Sequence, residues 1–247
     1  MRFVLLLCVT ACHFSDDGAK YEIPPSGGGG GGGGSTFVDA GAGSGSGSNS
    51  GTISGKICMV DDIRLPTTCD TNVGTNLGGY SVTLGNFTTT TGTDGTFVLQ
   101  APTSSNVVWV VTGTDIETSL MSYSASTTIP VVTVDTYLGL AGSNGVLQQT
   151  GYGDVFLHVT HAGASVAAAV ATAIVPTPFY AAALYDGTIK DVWQSTATGT
   201  YGMTWIAGAP TGATSVTITP QGAGSGEVAA NIPVGDQAVT WATLDLP

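Results

Sequence analysis

The chain has 247 residues, 17 acidic and 5 basic side chains, a formal charge of -12 and only 9% charged residues. A field of that sign repels phosphate backbones and anionic headgroups, which excludes nucleic acid as a partner class. The longest uninterrupted apolar run, Phe3 to Val9, is far below the roughly 20 residues that a membrane-spanning helix needs. Length leaves room for two domains, and short Thr, Val and Ser runs separated by Gly, Pro, Asn and Asp are all-β punctuation.

Met1 and Arg2 form a minimal positive region, and Phe3 to Val9 is a short apolar core of the kind that an export signal carries. The next step, Val9-Thr10-Ala11-Cys12, resembles the lipobox of bacterial lipoproteins. That resemblance implies a signal peptide over residues 1–11, cleavage after Ala11, and acylation of Cys12 as the first residue of the mature chain. Cys8 follows the bulky Leu7 and leaves with the signal. His13 stands where an inner-membrane lipoprotein of a Gram-negative cell would carry Asp, so the resemblance implies an outer-membrane lipoprotein facing the periplasm or the exterior. Two or three acyl chains hold such a protein stably, where one holds it only marginally. The alternative is a soluble secreted protein cleaved near Ala11.

Residues 12–52 then read as a tether. Ile23-Pro24-Pro25-Ser26 leads into Gly27 to Gly34 and on to AGAGSGSGSNSG, Ala40 to Gly51. Such a segment buries too little apolar surface to offset the entropy of ordering it, and about 40 residues of it give a mean reach of about 35 Å. The glycines are not a phosphate cradle, which needs a strand before, a helix after and a Lys-Ser/Thr pair.

Further on, Thr89 to Pro102, TTTGTDGTFVLQAP, reads as strand, Asp94-Gly95 turn and strand, a strong hairpin signal. Ser195 to Pro210, STATGTYGMTWIAGAP, repeats it: Gly199 falls at Gly95, Tyr201 at Phe97, Met203 at Leu99 and Pro210 at Pro102. Val108 and Val110 then match Val216 and Ile218, which implies a duplicated unit. First strands are expected at Ile53 to Met59 and Asp154 to Thr160, second strands near Tyr80 to Leu84 and Ala168 to Val175, and closing strands at Ile129 to Leu140 and Val239 to Leu246. About seven short strands per copy is a β-sandwich signature.

This arrangement, a first strand, a GYSVTLG or AAAVATA strand, the T-x-D-G-x-F turn and a closing apolar strand, resembles the carboxypeptidase regulatory-like domain with its transthyretin-like sandwich. The resemblance implies an all-β chain of two consecutive seven-stranded Greek-key sandwiches, over residues 53–141 and 153–247 with a linker at 142–152. It also implies a non-catalytic module, since domains of this kind usually accompany enzymes, receptors or surface proteins. A fold alone supplies no function.

Once Cys8 is removed and Cys12 acylated, Cys58 and Cys69 remain, and in an exported chain they are expected to pair. The bridge would hold the loop containing Pro66, Asp61 and Asp62 against the first strand, contributing roughly 2 to 3 kcal/mol. A redox-active pair is the alternative, although catalytic pairs are usually C-x-x-C at a helix start.

Material for chemistry is sparse. His158 and His161 are three apart on an expected strand and so point to opposite faces, which prevents them from chelating one metal. Asp61, Asp62 and Asp70 lack the alternating spacing of a calcium loop, and Asp94 sits where a turn needs it. No serine lies in a nucleophile elbow. The expectation is therefore no enzyme, no metal and no cofactor.

Among the aromatics, Trp109 is expected in the core, and Trp205 shares a face with Tyr201 and Met203. Trp193 alternates with Val192 beside charged residues, so one of the two is expected to face water. An exposed Trp193 with Tyr180 or Tyr185 would form a platform for a glycan. The functional expectation is an envelope lipoprotein with a structural or protein-interaction role and membrane lipid bound through Cys12. A carbohydrate-binding module is the alternative.

Overall fold

The computed structural model describes residues 51–70, 76–104, 106–123 and 127–247; the signal segment, Cys12 and the glycine tether lie outside them. In chain order the first half holds β1 (Thr52–Met59), β2 (Ser81–Leu84), β3 (Phe87–Thr90), β4 (Thr96–Gln100), β5 (Val108–Thr112), β6 (Ser119–Ser122) and β7 (Thr128–Val131). A helix, α1 (Val134–Ser143), leads to the second half. There follow β8 (Tyr152–His161), β9 (Ala164–Ser165), β10 (Ala169–Val175), β11 (Leu184–Ile189), β12 (Val192–Gln194), β13 (Met203–Pro210), β14 (Gly212–Pro220), β15 (Glu227–Val234) and β16 (Val239–Leu246).

The chain is all-β, in layered sheets, as its composition implies. One ten-stranded sheet runs β12-β11-β13-β8-β16-β6-β5-β2-β3, with β9 on β8. Two three-stranded sheets, β4-β1-β7 and β10-β14-β15, lie against it. The first half thus supplies seven strands, three in its own sheet and four in the long one.

The halves are joined by hydrogen bonding. β16 lies between β8 and β6, parallel to both, with Trp241 opposite Phe156 on one side and Met121 on the other. Cross-strand partners share a face of the sheet, so one row can be followed from end to end: Phe87, Leu84, Trp109, Met121, Trp241, Phe156, Trp205 and Leu184, one residue from each of eight strands. The β4-β1-β7 sheet covers the first-half end of this face, where Ile57, Phe97, Leu99 and Ile129 pack on Trp109, Val82 and Leu84. The β10-β14-β15 sheet covers the opposite face in the second half, packing Val216, Ile218 and Ile232 on Val155, Leu157, Val159 and Ile206. With α1 packed over the Phe156 side, β8 is covered on both faces, which explains the unbroken burial of Gly153 to Leu157.

Several expected elements take a different form. The run Ile129 to Leu140 was expected as one closing strand, but β7 stops at Val131 and α1 begins at Val134. Thr133 caps it, its hydroxyl accepting from the Thr136 amide at 3.1 Å, and Asp135 sits in the first turn, where the helix dipole favours an acid. The Asp94-Gly95 turn is present, with Gly95 at φ 81 and Asp94 Oδ1 accepting from the Thr96 amide. It does not close a hairpin. β3 pairs with β2 in the long sheet while β4 pairs antiparallel with β1 in the other layer, so the turn is an arch between sheets.

The residues matched between the two copies consequently occupy different layers. Phe97 and Leu99 lie in the three-stranded sheet, whereas Met203 lies on β13 of the long sheet and Tyr201 precedes it. The stretch expected as linker, 142–152, is packed: Val146 is buried in the aromatic core, and the Leu147 amide donates to the Tyr180 hydroxyl at 2.7 Å.

Candidate functional site

Chemistry-bearing side chains gather where α1, the Cys58–Cys69 loop and the second half meet. Phe156 lies between Trp205 and Trp241, stacked at 5.4 Å and 5.5 Å between ring centroids, and Trp193 presents its edge to Phe156 and Trp205 at 5.7 Å from each. Tyr137, Leu140 and Ala141 of α1 pack over these rings from the i, i+3 and i+4 positions that share a helix face. Ile63, Val60 and Cys58 close the remaining side.

Trp193 is therefore a core residue at 6% exposure, and Val192 is the member of the pair that faces water, at 52%. The charged neighbours that suggested exposure belong to the β11–β12 turn. Tyr185 is also buried, its hydroxyl accepting from the Ala171 amide at 2.9 Å. Tyr180 is partly buried and bonded to the Leu147 backbone. The three do not form one exposed platform. The aromatic cluster that does reach the surface was not anticipated: Phe179, 55% exposed, meets Tyr152 and Tyr180 edge-on at 5.6 Å and 5.2 Å.

Beneath α1 lies a buried polar group. The Tyr137 hydroxyl donates to Asp154 Oδ2, and the Gly208 amide donates to Asp154 Oδ1 at 2.7 Å. Gln148 Nε2 donates to Glu117 Oε2 at 3.2 Å. Burial pushes the Asp154 carboxyl above its usual range, against the pull of the Tyr137 and Gly208 donors. Burial likewise raises Glu117, with Gln148 opposing and the Asp154 charge adding to the rise. Burial and the neighbouring Asp154 raise the Tyr137 phenol, which stays protonated and serves as a donor.

Gly208 makes this possible. It sits at φ 65 in a bulge between Ile206 and Ala209, and a side chain there would meet Phe179 Cβ at 2.8 Å.

Asp186, fully buried, accepts from the backbone amides of Gly199, Tyr201 and Met203 at 2.9, 2.9 and 2.8 Å. It holds the turn that enters β13, with both carboxylate oxygens engaged by backbone amides. Beside it, Gly187, Thr188, Gln194 and Thr200 line a surface depression of about 270 Å³.

The remaining sequence candidates are satisfied locally. Cys58 and Cys69 are bonded to each other. Asp62 pairs with Arg64 at 2.6 Å, and Asp61 with Lys190 at 2.6 Å, so the acidic loop is neutralised by the chain's own cations. His158 Nε2 lies 2.9 Å from Ser165 Oγ, and burial depresses the imidazole, with Asp186 opposing. His161 Nδ1 lies 3.1 Å from the Leu246 carbonyl. Among the described residues no group of three His, Cys, Asp or Glu converges as a metal set, and no helix is long and apolar enough to cross a membrane.

No family model matches the chain, and no curated protein matches it. Solved structures that it resembles include the Bacillus anthracis TIE protein, at 12% identity and a TM-score of 0.24, covering 79% of this chain and 33% of that one. The chain thus spans about a third of the length of that relative. GBS52, the minor pilin of Streptococcus agalactiae, matches at 13% identity and a TM-score of 0.25, covering 78% of this chain and 96% of that one. A point mutant of the shaft pilin spaA from Lactobacillus rhamnosus GG matches at 10% identity and a TM-score of 0.22, covering 79% and 98%. Likeness at that level assigns no family, and the classification stands on the chain's own strands: stacked β-sheets with one short helix and, among the described residues, one disulfide.

Proposed function

We propose that this is a non-catalytic structural or interaction module of the cell envelope, fastened to the outer membrane by acyl chains on Cys12 and held off it by the glycine tether. The observation that carries the reading is that three buried charged side chains are engaged within the fold: Asp186 accepts from three backbone amides, Asp154 links the Tyr137 hydroxyl of α1 to the Gly208 amide of the β13 bulge, and Arg64 donates to the Gly187 carbonyl at 2.8 Å. An acid or base whose oxygens already hold structural donors gives up those contacts if it is to act on a substrate. The Cys58–Cys69 bond adds support, since disulfides persist in oxidising compartments.

Mass spectrometry of the amino-terminal peptide from native membranes tests the anchor: an acylated Cys12 is expected, and a free thiol there overturns it. A panel of hydrolase substrates tests the rest, where turnover abolished by one polar substitution that leaves the fold intact would overturn the non-catalytic reading. The glycan-binding alternative rests on Tyr152, Phe179 and Tyr180 rather than on Trp193. Retention on a glycan array lost in Phe179→Ala would establish it.

A further inference from the structure

The loop between Cys58 and Cys69 is tied to its own half at its ends and to the other half through its middle. At the ends, the Val60 amide donates to Val131 O at 2.9 Å and the Asp70 amide to Met59 O at 2.7 Å. The middle crosses over. Ile63 enters the aromatic cluster, Arg64 Nη1 donates to Gly187 O at 2.8 Å, Lys190 Nζ donates to Asp61 Oδ2 at 2.6 Å, and the Arg64 guanidinium lies 4.6 Å from the centroid of the Tyr201 ring. Asp62 orients Arg64 by two side-chain bonds of 2.9 and 2.6 Å. The loop therefore grips β11, the β11–β12 turn and the Tyr201 segment from the first half.

We infer that the Cys58–Cys69 disulfide is a reducible clasp on the joint between the halves. The two sulfurs differ in access: Cys58 is 0% exposed, while Cys69 stands in an exposed stretch. A dithiol reductant reaches only the outer one. Its thiolate attacks Cys69 Sγ, forming a mixed disulfide as the Sγ–Sγ bond breaks and Cys58 leaves as a thiolate that takes up a proton. The second thiol of the reductant then displaces Cys69. The dithiol ends as a disulfide, and two electrons and two protons pass to the protein.

With the loop closed, Arg64 and Ile63 are held at their contacts by a short ring. Opened, the loop regains the conformational freedom that the bond removes, and its polar contacts to the second half, individually weak where exposed, no longer hold β11 and the β11–β12 turn in place. The long sheet does not depend on the bond, because β16 still pairs with β6 and β8. Reduction loosens one corner and leaves the layers standing.

The experiment is amide hydrogen exchange on the full chain, oxidised and in dithiothreitol, with the disulfide state checked by mass. Exchange of residues 184–194 and of Tyr201 is expected to rise about tenfold on reduction, with the β10-β14-β15 sheet unchanged. Arg64→Ala with the disulfide intact is expected to give part of the same local rise. Unchanged exchange at 184–194 overturns the clasp, and so does a rise spread over every layer, which marks a plain stability staple. Cys69→Ser, which removes the bond without reductant, is expected to show the same local rise; if it fails to fold, reductant titration of the folded wild-type chain carries the test.

Discussion

Phe156→Ala is the sharpest probe of the shared core. The side chain is fully buried and lies between two indoles at 5.4 and 5.5 Å, with a third at 5.7 Å, so the surroundings are rigid rings that collapse poorly into the space left behind. Truncating a buried Phe costs about 3–5 kcal/mol, and the loss of stacked partners, worth about 0.5–1.5 kcal/mol each, places this site at the upper end. For a chain of this size that lowers Tm by about 6–20 °C.

The more telling readout is cooperativity. Trp109 belongs to the first half, and Trp193, Trp205 and Trp241 to the second, yet all but Trp193 lie in one cross-strand row with Phe156. Urea unfolding followed by fluorescence in a Trp109→Phe background reports the second half, and in the triple replacement of the other three tryptophans it reports the first. Both midpoints are expected to fall together in Phe156→Ala. A loss below about 1.5 kcal/mol, or a first-half transition that keeps its midpoint, would refute the argument that the row couples the halves.

Asp186→Ala orphans three amides, that of Met203 buried and those of Gly199 and Tyr201 part-buried, and is expected to cost about 2–4 kcal/mol by chemical denaturation; a cost under about 1 kcal/mol would mean that water replaces the carboxylate. Gly208→Val places a side chain against Phe179 and forces a positive φ on a β-branched residue, so it is expected to lower Tm by several degrees and to shift the register of β13, readable by NMR. The pH profile of stability has two limbs. Asp154 and Glu117 titrate above their unfolded values, so stability rises as pH falls through their raised folded values and is complete below the ordinary carboxylate range of about 4. The exposed Asp94 and Asp245 are depressed by Thr96 and Thr160 respectively, so their contribution is present above that range and is lost as pH falls through their lowered values. A maximum on the acid side of neutrality is expected, and Asp154→Asn should flatten its upper limb; a profile that climbs steadily to neutral pH would contradict the assigned burial.

Strand positions were legible because period-two patterning and turn residues are local signals. β1, β8 and β16 fall where Ile53, Asp154 and Val239 marked them. Sheet membership was not legible. The signal of Asp94-Gly95 is the same whether the flanking strands fold back as partners or part into two layers, and only the packing of Phe97 on Trp109 at 5.5 Å decides it. α1 was missed because Val131, Val132 and Val134 continue a β-branched run into it, although Thr133 before Asp135 and Asn144-Gly145 after Ser143 are cap signals that bracket the helix.

At the site, the cysteine pair followed from counting, while the Val192–Trp193 pair stayed open: local alternation correctly put one in the core and one in water without telling which. Nothing within ten residues of Trp193 announces that α1, docked through Asn144 Oδ1 accepting from the Trp193 amide at 2.9 Å, will cover it.

The place of β16 in the long sheet sets a timetable. The strands on either side of it, β8 and β6, are made earlier in synthesis and can find their shared neighbour only after Leu246 has emerged. Until then each presents an open edge, so the polypeptide reaches its native pairing late and is prone to sticking to itself if delayed.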